Sequence, residues 1–349
     1  MKKIELSITQ RNFAEKWFRR AATFPLYIVS WWLTFALSPL LLLIALFIDL
    51  RRRSRWAALR STGFLFLYLT AENLAIFLGL GMWLLSGRAL GLGKRRYQRW
   101  MRSLERWWGG WLFDGVSKLF GLRFDIEGLD EIEHGPALLF FRHVSMPDTS
   151  LPGALFVLRR RWHVRHIIKR ELLWDPGLDI IGNGLPNFFV RRGLGDNERE
   201  IDGVRRVVRD LDDNEAVVIF PEGTRFTASK RRHMLERLKE KGDLALLERA
   251  RALKNVLPPR LGGCLAMLEE NTRACAVFAA HVGFESAARA LNVLNGSLIH
   301  QTIRINLWHI PFEDIPQTTE ERIEWLYAQW RKVDEWIAAH TTAPANGVA

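Results

Sequence analysis

Phe140-Phe141-Arg142-His143-Val144-Ser145-Met146-Pro147-Asp148 is the stretch on which the reading of this chain turns. The apolar run 137–141 reads as a buried strand, and a helical pattern starts at Leu151. Between them stand an arginine, a histidine and, five positions after the histidine, an aspartate. Side chains five apart on a regular helix point roughly 140° away from each other, so His143 and Asp148 cannot meet on one helical face. They meet if His143 lies in the strand-to-helix loop and Asp148 in the first helical turn. Pro147 fits that placement, because proline is tolerated at the first helical position. A carboxylate there also suits the positive end of the helix dipole. The product is an imidazole oriented by a carboxylate at the carboxyl end of a strand, where open α/β sheets carry their chemistry.

Outward from this stretch, short apolar runs predict strands at 124–126, 137–141, 164–168, 188–190, 216–220, 274–281 and 303–310. Helical patterns at 151–161, 198–211, 231–254 and 320–339 separate most of them. That alternation predicts an α/β fold with a mostly parallel, covered sheet and flanking helices. The chain has 349 residues, 48% hydrophobic and 25% charged, which excludes a disordered chain. Its two cysteines, Cys264 and Cys275, exclude a disulfide framework and a cysteine-based zinc site. No metal cluster is expected. A net charge of +12 with 15 Trp suits an anionic membrane surface or nucleic acid.

The N-terminal part decides between these two. Residues 24–50 are almost uninterrupted apolar sequence, too long for a signal-peptide core and longer than the roughly 20 residues a span needs. A second apolar run, 64–85, is interrupted by Glu72 and Asn73. The N-terminus, the connector Arg51-Arg52-Arg53-Ser54-Arg55 and the stretch Lys94-Arg95-Arg96 are all basic. Two full spans would place one of them against the positive-inside rule. A helical hairpin dipping into one leaflet removes the conflict and lets Glu72 keep polar partners; both readings stay open. Residues 97–113 interleave Tyr97, Trp100, Trp107, Trp108 and Trp111 with arginines, as an interfacial helix does. The alternative is an ordinary amphipathic helix packed on its own domain. The apolar hairpin favours a membrane over nucleic acid, and no nucleic-acid partner is expected.

Three more constellations follow predicted strands. Phe189-Val190-Arg191-Arg192 offers forked donors that match phosphate. Phe220-Pro221-Glu222-Gly223-Thr224-Arg225 runs from a buried strand into a carboxylate, a glycine, a hydroxyl and a guanidinium. Gly223 allows close backbone approach, Glu222 can accept from an alcohol or hold an arginine, and Thr224 and Arg225 can bind anionic oxygens. Leu257-Pro258-Pro259-Arg260 is a rigid turn ahead of a helix.

In this order the blocks His143-x4-Asp148, 189–192, 220–225 and 257–260 resemble the four blocks of the PlsC-like glycerolipid acyltransferases, most closely the 1-acylglycerol-3-phosphate and lysocardiolipin acyltransferase branch. Phe226, Thr227 and Lys230, and the later 310–316 with Trp325-Leu326, are also similar to that branch. The resemblance covers roughly residues 124–336. Arg142 departs from it, standing where the family usually has Asn; Met146-Pro147 and Arg191 depart too. The apolar runs and the interfacial pattern predict a membrane-associated region over 1–113; an acyltransferase catalytic domain over 114–340, on the cytoplasmic side, and a loose tail over 341–349 follow it. The resemblance implies that His143 and Asp148 are catalytic. Arg192, Glu222, Gly223, Thr224 and Arg225, with Pro259 and Arg260, would bind the acceptor. No cofactor is implied, only acyl-CoA or acyl-carrier protein as donor and a lysophospholipid as acceptor.

The residue types agree with that chemistry. An alcohol deprotonated beside an acyl thioester needs no covalent enzyme intermediate, and His143 with Asp148 is a general base of the required kind. Two rival classes are a lipid hydrolase acting through Ser145 and a basic membrane or nucleic-acid binder without catalysis. The first lacks a Gly-x-Ser-x-Gly elbow. The second leaves the four blocks unexplained.

Overall fold

The computed structural model describes residues 2–190, 198–240, 242–287 and 295–341, with side chains from Phe13 onward. Two compact units emerge: Met1–Leu119 with Ile168–Arg191, and Phe120–Ile167 with Arg192–Ala349.

The first unit is helical. Helix α1 (Lys2–Ala36) stops before α2 (Ser38–Arg52), and Phe13–Ala36 and Ser38–Arg52 are bent by 70°. The apolar stretch 24–50 is therefore not one helix, as its hydropathy predicted. Pro39 is the reason: it sits in the first turn of α2, where its missing N–H costs nothing, and it cannot continue α1. Arg51 and Arg52 lie in the last turn of α2, at the negative end of its dipole. The buried carboxylate of Asp49 accepts the backbone N–H groups of Ala58 and Leu59, both at 2.9 Å, which caps α3 (Ala57–Leu85). Helix α3 is long and apolar enough to cross a membrane, and the bent pair α1–α2 passes the same test together.

The polar interruption of α3 is internal to the unit. Glu72 accepts from Trp108 Nε1 at 3.0 Å and from Gly177 N at 2.6 Å. Asn73 donates to the Leu69 and Tyr27 carbonyls. A buried carboxylate without partners would be very costly. Gly177 lets the backbone come this close, since a Cβ there would stand 2.9 Å from both Glu72 oxygens. Helix α4 (Lys94–Phe120) is longer than the expected 97–113 and turns Met101 and Leu104 inward. They join Ala75, Ile76 and residues Ile180, Ile181 and Leu185 of and just beyond α5 (Pro176–Gly184) in one core. Asp179 of α5 anchors Arg19 at 2.8 Å and Arg20 at 2.9 Å.

The second unit carries the α/β sheet. Its strands are β1 (Arg123–Glu127), β2 (Ala137–Phe141), β3 (His163–Lys169), β5 (Glu215–Ile219), β6 (Cys275–Val282) and β7 (Thr302–Ile310). Strand β4 (Phe188–Val190) belongs to the first unit. The order β1-β7-β6-β2-β5-β3 places β2 at the centre. All pairs are parallel except β6 with β7. Every residue of β2 is fully buried, as a central strand covered on both faces requires.

Two helices differ from expectation. Residues 151–161 form no regular α-helix: a 3₁₀ turn, Pro147–Ser150, leads into a π-helical segment, Gly153–Arg159. The stretch 231–254 divides into α7 (Ala228–Glu240) and α8 (Leu244–Ala252). Gly242 takes the left-handed φ of +71° and the Asp243 side chain accepts from Leu246 N, so a stop and a cap interrupt the helical pattern. Helices α6 (Glu198–Val208), α9 (Leu261–Glu270) and α10 (Thr319–His340) complete the unit.

Candidate active site

Strands β5 and β6 flank β2 and run parallel to it, so the carboxyl ends of all three open at one edge of the sheet. His143 leaves β2, Glu222 leaves β5 and His281 lies near the end of β6. Pro147 opens the 3₁₀ turn and puts Asp148 in it. The Asp148 carboxylate then reaches back to the loop it follows. Its Oδ1 lies 2.8 Å from His143 Nδ1, and its Oδ2 accepts the N–H groups of Val144 at 2.6 Å and Ser145 at 2.7 Å. Asp148 is fully buried, while 12% of the His143 side chain stays exposed. Burial alone would raise the Asp148 carboxyl. The His143 hydrogen bond, the nearby imidazoles and the Ser145 N–H outweigh it and hold the group below its ordinary value. A carboxylate is acceptor-only, so an ionised Asp148 keeps a proton on His143 Nδ1 and leaves Nε2 as the basic lone pair.

Glu222 is fully buried, and both its oxygens are occupied: Oε1 by His143 N and Oε2 by Leu257 N, each at 2.8 Å. Burial pushes its carboxyl up to about 8 against these two donors. In this geometry Glu222 braces the backbone of the histidine rather than facing an acceptor. It also joins the block at 220–225 to the block at 257–260, helped by Arg260 N donating to the Pro221 carbonyl at 2.8 Å. Gly223 turns the chain between them with a φ of +64°. Asp334 of α10 accepts from Lys254 N and Val256 N, and Trp330 Nε1 donates to the Leu257 carbonyl, so α10 fixes the 254–257 segment.

Beyond Glu222 the groups turn outward. Arg225 and Arg260 are exposed, Pro259 is buried, and Lys230 Nζ donates to Thr224 Oγ1 and to the Arg225 carbonyl, both at 3.0 Å. Arg192 lies outside the described residues. Among the described residues no three His, Cys, Asp or Glu side chains are grouped as a metal ion would need. The residues that sequence reasoning passed over are His281 and Glu285. The strand-end rule applied to β2 and β5 would have found His281 at the end of β6.

A family model described as Acyltransferase matches residues 123–254. The chain is 24% identical over 170 residues, 48% of its length, to the Homo sapiens 1-acyl-sn-glycerol-3-phosphate acyltransferase delta. It is 22% identical over 252 residues, 67% of its length, to the Caenorhabditis elegans lysophosphatidylinositol acyltransferase 10. It spans 43% of the first relative's length and 61% of the second's. The crystal structure of the Thermotoga maritima 1-acyl-sn-glycerophosphate (LPA) acyltransferase, PlsC, matches with a TM-score of 0.49 at 14% identity, covering 80% of this chain and 98% of that one. The stretch that carries His143, Asp148 and Glu222 thus lies within the residues that the Acyltransferase family model matches.

Proposed function

We propose that the protein is a lysophospholipid acyltransferase that transfers a fatty acyl group from a thioester donor, acyl-CoA or acyl-carrier protein, to the free hydroxyl of 1-acylglycerol-3-phosphate. The observation that carries this reading is the His143–Asp148 pair at 2.8 Å, at the edge where three parallel strands end. His143 Nε2 takes the proton of the acceptor hydroxyl. The alkoxide attacks the thioester carbonyl, the carbon–sulfur bond breaks, and the imidazolium returns its proton to the departing thiolate. Asp148 stabilises the imidazolium throughout. Exposed Arg225 and Arg260, neighbours of this edge, offer guanidinium forks to the acceptor's phosphate. The test is acyl incorporation by the solubilised protein from labelled acyl-CoA into a panel of lysophospholipids. Transfer to water alone, without an acceptor, would replace this reading with a hydrolase.

The phosphate assignment makes its own prediction. Arg225 is exposed and, among the described residues, donates no side-chain hydrogen bond that would be lost, so Arg225→Ala is expected to leave the fold intact. A hydrogen bond to a charged group contributes about 1.5–3 kcal/mol. The acceptor's kcat/KM should fall by about ten- to a hundredfold with the donor's KM unchanged. A loss on the donor side alone would move Arg225 to the thioester's carrier.

The membrane arrangement is proposed as a hairpin whose basic connector lies on the same, cytoplasmic side as the catalytic domain. The 70° bend between α1 and α2 and the basic residues at both ends support it. Arg52 is exposed and Cys264 is fully buried. Arg52→Cys in a background lacking Cys264 and Cys275 should therefore resist an impermeant thiol reagent in intact cells and react after lysis. Labelling in intact cells would establish full spans.

A further inference from the structure

The peptide unit that joins Arg142 to His143 is held from both sides by fully buried side chains. Its N–H donates to Glu222 Oε1 at 2.8 Å, and its carbonyl lies 3.2 Å from His281 Nε2. The hold is reciprocal: the Arg142 guanidinium, 2% exposed, donates to the His281 carbonyl at 2.5 Å and to Glu285 Oε1 at 2.6 Å. Each residue's side chain thus grips the other's backbone, and Glu285 anchors the pair, with its second oxygen on Gly283 N at 2.7 Å.

The protonation of His281 follows from its surroundings. Its Nε2 faces two groups that only accept, the Arg142 carbonyl and, at 3.8 Å, Asp148 Oδ2. Nε2 therefore carries a hydrogen. Its Nδ1 is buried and has no partner among the described residues, so a second proton would leave an unsatisfied buried donor. The charged or titratable groups that face the ring are Asp148, Arg142 and Glu285, while Phe284 packs edge-on at 6.0 Å. Burial pushes the imidazole down to about 4; Asp148, Glu285 and the hydrogen bond to the Arg142 carbonyl oppose the shift, and the Arg142 charge reinforces it. The separation from Asp148 exceeds a hydrogen bond, so the N–H acts on that carboxylate as a fixed dipole in a low-dielectric interior.

We propose that His281 is a positioning residue for the His143–Asp148 pair: it locks the peptide in front of His143 and sets an N–H dipole against Asp148. The role rests on the reading of His143 as the general base. It also accounts for Arg142, which stands where the resembling family usually has Asn: here its guanidinium carries the lock to Glu285.

Two arms test it. Selective ¹⁵N-histidine NMR of the parent protein should show His281 as the neutral Nε2–H tautomer across about pH 5 to 8. An imidazolium or an Nδ1–H tautomer there overturns the proposal, without recourse to any variant or activity. In steady-state transfer, His281→Gln keeps an amide N–H near the place of Nε2 and should stay close to the parent. His281→Leu removes the donor and should lower kcat about tenfold with the acceptor's KM unchanged. Without the dipole Asp148 binds the imidazolium more strongly, so the acid limb of the pH profile should move to higher pH. Equal losses in both variants, or a Leu variant with an unmoved acid limb, overturn the proposal. A parent protein that transfers no acyl group overturns the functional reading instead, and the NMR arm still decides the state of His281.

Discussion

His143→Ala is expected to fold while losing about 10²–10⁴-fold in acyl transfer, the range a positioned general base contributes. The position explains why the fold survives. His143 sits in the loop after β2, its ring packs at 5.0 Å against Phe220, and part of it reaches the surface. Truncation opens no closed core cavity, and Asp148 keeps its two backbone donors from Val144 and Ser145. The braces on the loop are backbone groups that alanine retains: His143 N on Glu222, and the His143 carbonyl accepting from Phe226 N at 2.8 Å. The informative partner is Ser145→Ala. Ser145 is fully buried and its Oγ has no hydrogen-bond partner among the described residues, whereas its N–H on Asp148 survives the change. It should transfer at close to the parent rate. Initial rates into lysophosphatidate, with circular dichroism as the folding control, separate the two. A dead Ser145→Ala beside an active His143→Ala would replace the general-base mechanism with a covalent serine route.

The site was legible where local chemistry alone decides geometry. Pro147 can open a helical turn but not occupy its middle, so the five-residue spacing from His143 to Asp148 admitted one arrangement in which the two meet. The runs of β2, β5 and β6 were legible as strands because a covered sheet needs continuous burial, and β2, with five fully buried residues, is the clearest case. What escaped depended on single residues that override a pattern. The hydropathy of 24–50 is continuous across Pro39, and only the proline's lost N–H reveals the break. The periodicity of 231–254 runs across Gly242 and Asp243 in the same way.

Longer-range partners were legible in kind but not in identity. Glu222 reads as a carboxylate able to meet an alcohol, yet its oxygens meet His143 N and Leu257 N, residues 79 and 35 positions away in sequence. Nothing local specifies such a pairing; the parallel register of β2 and β5 does, by bringing Phe140 level with Ile219. Arg142 reads as one more cation in a basic chain. Only the alignment of β2 with β6 shows that it is buried and matched by Glu285.

Asp148→Asn is the second large effect expected. Oδ2 of Asp148 accepts two backbone N–H groups and Oδ1 meets His143 Nδ1. Asparagine has one oxygen to offer, and the two backbone donors claim it. Its NH₂ then faces His143 Nδ1, which must become an acceptor, so the imidazole proton moves to Nε2 and the base is blocked. The corresponding swap in a Ser-His-Asp triad lowers kcat about 10⁴-fold with the geometry intact, and a loss of that order is expected here with acceptor KM little changed. Stability should change with pH in a direction set by the carboxyl. Asp148 is held below its ordinary 3.8 in the folded protein. Its contribution is therefore fully present above that ordinary value and is lost as pH falls through the lower folded value. The deficit in Tm of Asp148→Asn relative to the parent should be largest near neutral pH and should shrink on acidification below the ordinary value. A deficit that stays constant from neutral to acid pH would mean that Asp148 is held neutral in the folded protein. An imidazole without an ionised partner could not then be the base that the geometry describes.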